Sequence, residues 1–136
     1  MMLLKDYLPN INKKFRNLSF SGLAFNSKEV KKNYIFIAIK GDKFDGNNYI
    51  NNAVKNGAKI IISSKFKEQI KNNIIYIKHK NPRQILSHLS SKIFIKKPEN
   101  LIAVTGTNGK TSIANFYYQI LKENKKKSSI FWYSWN

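Results

Sequence analysis

The densest apolar signal in the chain is YIFIAIKG, residues 34–41, a β-branched and aromatic run that stops at Gly41. Such a run, bounded by a polar turn, predicts a buried strand. The turn DKFDG follows, and NNYINNAVKNG then places Tyr49, Ile50, Ala53 and Val54 at helical spacing before Gly57. A glycine just past the last apolar position stops a helix, because it takes the left-handed conformation at no steric cost. AKIIISS (58–64) and NIIYIK (73–78) read as two further strands, with the short amphipathic stretch KFKEQIKN between them. Strand and helix in alternation predict a small α/β domain over residues 1–80.

A second unit is expected over residues 81–136. Asn81 can cap a helix, Pro82 suits its first position, and Ile85, Leu86, Leu89, Ile93 and Phe94 fall on one face. KKPEN breaks the pattern, and LIAVT (101–105) is a continuous apolar run of the kind found in a parallel sheet buried on both faces. KTSIANFYYQILKEN then predicts a helix with Ile113, Phe116, Tyr117, Ile120 and Leu121 on one side. There is no internal repeat and no Pro/Gly/Ser-rich linker.

Composition narrows the chemistry. One domain, or one small domain and the opening of another, fits in 136 residues. Without cysteine there are neither disulfides nor thiolate metal sites. The apolar run in MMLLKDYLPNINKKF is too short for a signal-peptide core, and no later stretch spans a bilayer, so a cytoplasmic protein without membrane partners is expected. The net charge of +18 is carried almost wholly by lysine, with Arg16 and Arg83 the two arginines. Lysine, isoleucine and asparagine are abundant together, as AT-rich codons would make them, and basic and aromatic residues do not interleave as in an RNA-binding surface. Nucleic-acid binding is therefore not expected, whereas a positive surface favours nucleotides and phosphorylated substrates. His79 and His88 are far apart, carry no carboxylate pattern, and are read as ordinary residues rather than metal ligands.

The candidate chemistry lies in VTGTNGKTS, residues 104–112. A strand, a glycine-bearing turn and a helix N-terminus aim backbone N–H groups and the positive end of a helix dipole at one point, where phosphate fits. Gly106 and Gly109 allow the tight turn, Lys110 can reach β- and γ-phosphate oxygens, and the Thr111 hydroxyl can join a Mg²⁺ shell. Ser112 is a further candidate ligand. The usual G-x-x-x-x-G-K-[ST] would put glycine at Val104, so this is the compact form G-x-x-G-K-T. The bland alternative is a Gly-Asn turn before an ordinary helix.

VTGTNGKTS resembles the ATP loop of the Mur ligases, the amide-forming ligases of peptidoglycan synthesis, and of their relative folylpolyglutamate synthase. FNSKEVKKNYIFIAIKGDKFDGNNYINNAVKNGAKIIISS is similar to the UDP-binding N-terminal domain shared by the ligases that add the third residue and the final dipeptide. NPRQILSHLSSKIF followed by the loop looks most like the third-residue branch. The resemblance implies a small UDP-binding α/β domain followed by the truncated start, as strand, phosphate loop and helix, of a P-loop-type central domain. It implies ATP and Mg²⁺ as cofactors and UDP-MurNAc-L-Ala-D-Glu as substrate. The D-glutamate carboxylate would be activated as an acyl phosphate and attacked by an amine, diaminopimelate or lysine. By the same resemblance Gly106, Thr107, Asn108, Gly109, Lys110, Thr111 and Ser112 hold the nucleotide, Lys110 is catalytic and Thr111 binds the metal. Phe25, Ser27, Asp42, Lys43 and Phe44 would line the UDP end, the two phenylalanines against uracil. The family usually shows Asp-Ser-Arg where this chain has Asn26-Ser27-Lys28, and a lysine keeps the charge but loses the planar fork.

The alternatives are the dipeptide-adding ligase, a non-catalytic UDP-binding module, and a basic nucleic-acid binder with steep salt dependence. A monomer without ligase activity of its own is expected, since the family's central domain continues well past the loop. The ending FWYSWN suggests a shifted reading frame near residue 131. With TAC for Tyr133 and TCT for Ser134, reading one base later from Trp132 encodes Gly-Thr-Leu-Gly, the turn that the family pattern leads into.

Overall fold

The computed structural model describes residues 2–94 and 99–130. The chain forms two compact units, Met1–Lys96 and Lys97–Asn136. In chain order the first contains β1 (Met2–Leu3), α1 (Leu4–Tyr7), β2 (Ser19–Phe20), β3 (Gly22–Ala24), β4 (Tyr34–Ile37), α2 (Ile50–Lys55), β5 (Ala58–Ser63), β6 (Gln69–Lys71), β7 (Ile74–Lys78) and α3 (Pro82–Ile93). The second contains α4 (Lys110–Glu123).

Five strands make one sheet in the order β3-β4-β5-β7-β6, parallel throughout except for the edge strand β6, while β1 and β2 pair antiparallel on their own. The side-chain period of two sends Ile35, Ile37, Ile60, Ile62, Ile75 and Ile77 to one face and Phe36, Ala38 and Ile61 to the other. Both faces are covered, which is why these strands read as continuous apolar runs. α2 supplies Ile50 and Ala53 on the second face, and α3 supplies Leu89 on the first. Burying a side chain such as Ile60 contributes about 1.5–3 kcal/mol, and Ile60, Ile62 and Leu89 are all essentially inaccessible. A register shift lets Ala58 face α2 while Ile60 faces α3: Tyr34 pairs with Ala58 and Ile35 with Ile60, leaving Lys59 unpaired and exposed.

The helix stop at Gly57 is built as expected, at φ 106°, and a Cβ there would lie 2.9 Å from the Lys32 Cα. α2 is preceded by a 3-10 turn, Gly46–Tyr49, capped by the Asp45 side chain, which accepts from the Asn47 N–H. The stretch read as amphipathic between the strands instead contains β6, all of it exposed. It pairs with β7 through the two-residue turn Asn72-Asn73, both at positive φ as a type I′ hairpin requires.

Two boundaries differ from the sequence reading. The helix assigned to the second unit belongs to the first. α3 begins on its Asn81 cap and Pro82 as expected, but it buries Leu89 against β4, β5 and β7. The His88 Nε2–H also donates to the Tyr7 carbonyl at 3.0 Å. The first unit therefore runs past residue 80, because α3 covers part of one sheet face. The N-terminal segment completes the same face with Leu4, Leu8, Phe15 and Phe20.

In the second unit, residues 101–105 carry no strand, contrary to expectation, and Leu101 and Ile102 are exposed. A parallel strand takes its hydrogen bonds from neighbours, and among the described residues of this unit there is none. α4 forms as expected, with Ile113, Phe116, Tyr117 and Ile120 exposed. The ending 131–136, subject of the reading-frame expectation, lies outside the described residues.

Candidate functional site

The first unit carries a cleft of about 950 Å³ outside the carboxyl ends of β3 and β4, the place where open parallel sheets bind ligands. Phe25 directly follows β3, and the chain from Ile39 to Gly46 that follows β4 folds back over the other side. Phe25, Ser27 and Phe44, named from the sequence, all line it. Asp42 and Lys43 do not; they stand between Gly41 and Phe44, whose N–H···O=C bond of 2.8 Å closes the turn beneath them.

Local chemistry shapes each wall. The Asn26 side chain accepts from the Lys28 N–H and starts a single 3-10 turn, Ser27–Glu29, which buries Ser27. From α2's end, Asn56 Nδ2 donates to the Ser27 carbonyl at 2.8 Å, tying this wall to the helix. Phe25 and Phe44 remain 59% and 71% exposed, so their ring faces are open to a partner.

Sequence reasoning missed several residues here. Tyr49 was assigned to a helix face but lines the cleft, and Arg83 reaches it from the first turn of α3. With Lys28 and Lys55, Arg83 makes three cations, and none of the described residues lining the cleft is acidic. The nearby Glu29 accepts from Asn26 Nδ2 at 3.2 Å. Aromatic faces beside uncompensated cations suit an anion that carries a flat ring.

A ring of hydrogen bonds behind Phe44 was also missed. Asp45 Oδ1 accepts from Asn47 Nδ2 at 2.6 Å, Asn47 Oδ1 accepts from Ser63 Oγ at 2.6 Å, and Ser63 Oγ accepts from the Lys65 N–H at 3.1 Å. Lys65 Nζ closes the circuit on Asp45 Oδ2 at 2.7 Å. The Lys65 ammonium first, and the Asn47 donors second, hold the Asp45 carboxyl well below the usual carboxylate range.

In the second unit, Gly109 caps α4 in the left-handed conformation, φ 76°, and Gly106 sits at φ 143°. Ile113 N–H closes the first helical bond on the Gly109 carbonyl at 3.0 Å. Among the described residues no side chain caps α4, which leaves its leading N–H groups available to an anion. A Cβ at Gly109 would meet none of the described residues within 4 Å, so the glycine is favoured by its φ rather than by crowding. The Lys110 ammonium donates to the carbonyls of Gly106 and Thr107. Thr107, Asn108, Thr111 and Ser112 are exposed. The helix N-terminus and the ammonium fit a polyphosphate. For Mg²⁺, the loop offers the Thr111 hydroxyl, and no group of three or more His, Cys, Asp or Glu residues among the described residues could hold a metal. No helix among them is long and apolar enough to cross a membrane.

The profile of the Mur ligase family, catalytic domain, matches residues 19–107, and the chain belongs to that family. Its relatives within the family include ligases named for 2,6-diaminopimelate. It is 38% identical over 120 residues to the UDP-N-acetylmuramoyl-L-alanyl-D-glutamate–2,6-diaminopimelate ligase of Rickettsia typhi, covering 88% of this chain and 24% of that protein. The same-named ligase of Fusobacterium nucleatum is 43% identical over 113 residues, covering 81% and 21%. Among solved structures, a ligase of that name superposes with a TM-score of 0.64 at 26% identity, over 91% of this chain and 26% of its own. MurF ligase from Thermotoga maritima, solved with ADP, gives 0.57 at 31% identity over 74% and 23%. The chain thus spans about a quarter of the length of the curated relatives it matches.

Proposed function

We propose that this chain supplies the uridine-nucleotide site and the phosphate loop of an ATP-dependent ligase that joins diaminopimelate to UDP-MurNAc-L-Ala-D-Glu. The observation that carries the reading is the cleft itself, which joins Phe25, Phe44 and Tyr49 to Lys28, Lys55 and Arg83 with no acidic side chain among the described residues that line it. The phenylalanine rings would take the uracil, Ser27 would hydrogen-bond it, and the three cations would neutralise the diphosphate. Asp42 and Lys43, at the tip of the turn, would meet the substrate only beyond the nucleotide. A cytoplasmic location follows from that substrate.

ATP would supply the phosphoryl group that activates the substrate carboxylate. The chain's own part is to hold it: the N-terminal N–H groups of α4 and the Lys110 ammonium take the phosphate charge, and Gly106, Thr107, Asn108 and Gly109 shape the turn. Thr111, with Ser112 beside it, offers a hydroxyl to the Mg²⁺ that would accompany the triphosphate. Positioning and charge neutralisation are most of what phosphoryl transfer asks of a protein.

The dipeptide-adding ligases offer a second reading, favoured by the 31% identity to the Thermotoga maritima MurF structure. The diaminopimelate branch is preferred on 38–43% identity over most of this chain. Calorimetric titration with UDP tests the nucleotide site: Phe44→Ala and Arg83→Met should each weaken binding by about tenfold, and wild-type affinity in both would reject it.

A further inference from the structure

We propose that Asp45 and Lys65 are positioning residues, holding Phe44 over the cleft through the closed hydrogen-bond ring they form with Asn47 and Ser63. The inference rests on the uridine-nucleotide reading of the cleft and names what gives that site its shape.

Phe44 has little packing of its own, being 71% exposed. Its direction is therefore set by the backbone of the 40–46 turn. On one side that turn is closed by the Gly41 N–H to the Phe44 carbonyl, 2.8 Å. At its base the Gly46 N–H bonds the Ile39 carbonyl at 2.8 Å, an approach so close that a Cβ on Gly46 would lie 2.8 Å from the Ile39 N and O. The remaining anchor is Asp45, the residue next to Phe44. Both carboxylate oxygens of Asp45 are engaged, one by Asn47 and the other by Lys65.

The far side of the ring is rigid. Ser63 is wholly buried at the end of β5, a strand with neighbours on both sides, and its hydroxyl both donates and accepts within the ring. The ring thus carries the order of the sheet out to a turn that would otherwise hang on two backbone bonds. The Lys65 side chain is itself half exposed, and exposed pairs contribute little to global stability. The charge-assisted bond therefore acts locally, on turn geometry.

The test uses the 136-residue chain and UDP as the probe. Asp45→Asn and Lys65→Met should each weaken UDP binding by about tenfold, and Lys65→Arg, which keeps the charge, should retain it. Amide exchange at Gly41 and Gly46 should quicken by about tenfold in the same two variants with the melting temperature nearly unchanged. In a Phe44→Ala background neither substitution should weaken UDP further, because residues acting as one unit are not additive. Equal losses with and without Phe44, or unaltered exchange at Gly41 and Gly46, would overturn the proposal. A wild-type chain that binds no UDP would reject the nucleotide reading instead, and the exchange rates would then decide the ring's role alone.

Discussion

Lys110 turns back on its own loop, its ammonium 3.2 Å from the Thr107 carbonyl oxygen and bonded also to that of Gly106. The loop is held by the same charge that would meet a phosphate. An arriving triphosphate competes for that ammonium with two neutral acceptors, and a charged acceptor makes the stronger bond. Lys110→Ala should therefore weaken binding of an ATP analogue by about tenfold or more, read by titration. Unchanged affinity would remove the lysine from the site. Because the substitution lies in the second unit, UDP binding should be unaffected.

Leu89 makes the unit boundary testable. It is inaccessible in the core between α3 and the sheet, and Leu89→Ala should cost about 2–5 kcal/mol in urea unfolding of the first unit. A chain ending at residue 94 should fold, and one ending at residue 80 should not. A cooperative transition from the shorter chain would contradict the assignment of α3.

The Asp45 carboxyl gives a pH signature. Its folded pKa is depressed by Lys65 and Asn47 below the value of about 3.9 expected unfolded. The ring's contribution is therefore fully present above that unfolded value and is lost as pH falls through the lower folded one. Carboxyl chemical shifts should show Asp45 still ionised where ordinary aspartates are half protonated, and Lys65→Met should raise its midpoint. A normal midpoint in the wild type would mean that the ring is open in solution.

Ligation by the chain alone is not expected. Lys110, Thr111 and Ser112 are exposed, and a phosphate site open to water cannot protect an activated carboxylate from hydrolysis. Mixing the chain with ATP, UDP-MurNAc-L-Ala-D-Glu and diaminopimelate should yield no tripeptide by mass spectrometry. Detectable product would refute this.

What the sequence reveals follows from how local each signal is. β4, β5, β7, α2, α3 and α4 are set by apolar period, caps and glycine stops within one window, and were legible. β6 was not, since its exposed edge carries no apolar alternation and its signal is the left-handed Asn72-Asn73 turn. LIAVT has the composition of a buried strand, but strand formation depends on partners outside the window. The same distinction runs through the site. Phe25, Ser27 and Phe44 were reachable through resemblance, whereas Arg83 enters the cleft from another element. Asp45 meets Lys65 across twenty positions that only the fold brings together.

The cleft beyond β3 and β4 is proposed to take a uridine nucleotide. Amide-shift mapping of the 136-residue chain with UDP-MurNAc-L-Ala-D-Glu tests it most directly. Saturable shifts are expected to cluster at Phe25, Ser27, Phe44, Tyr49 and Arg83, and ADP at equal concentration should not reproduce them. Shifts confined to exposed lysines elsewhere, or the same pattern with either nucleotide, would contradict it.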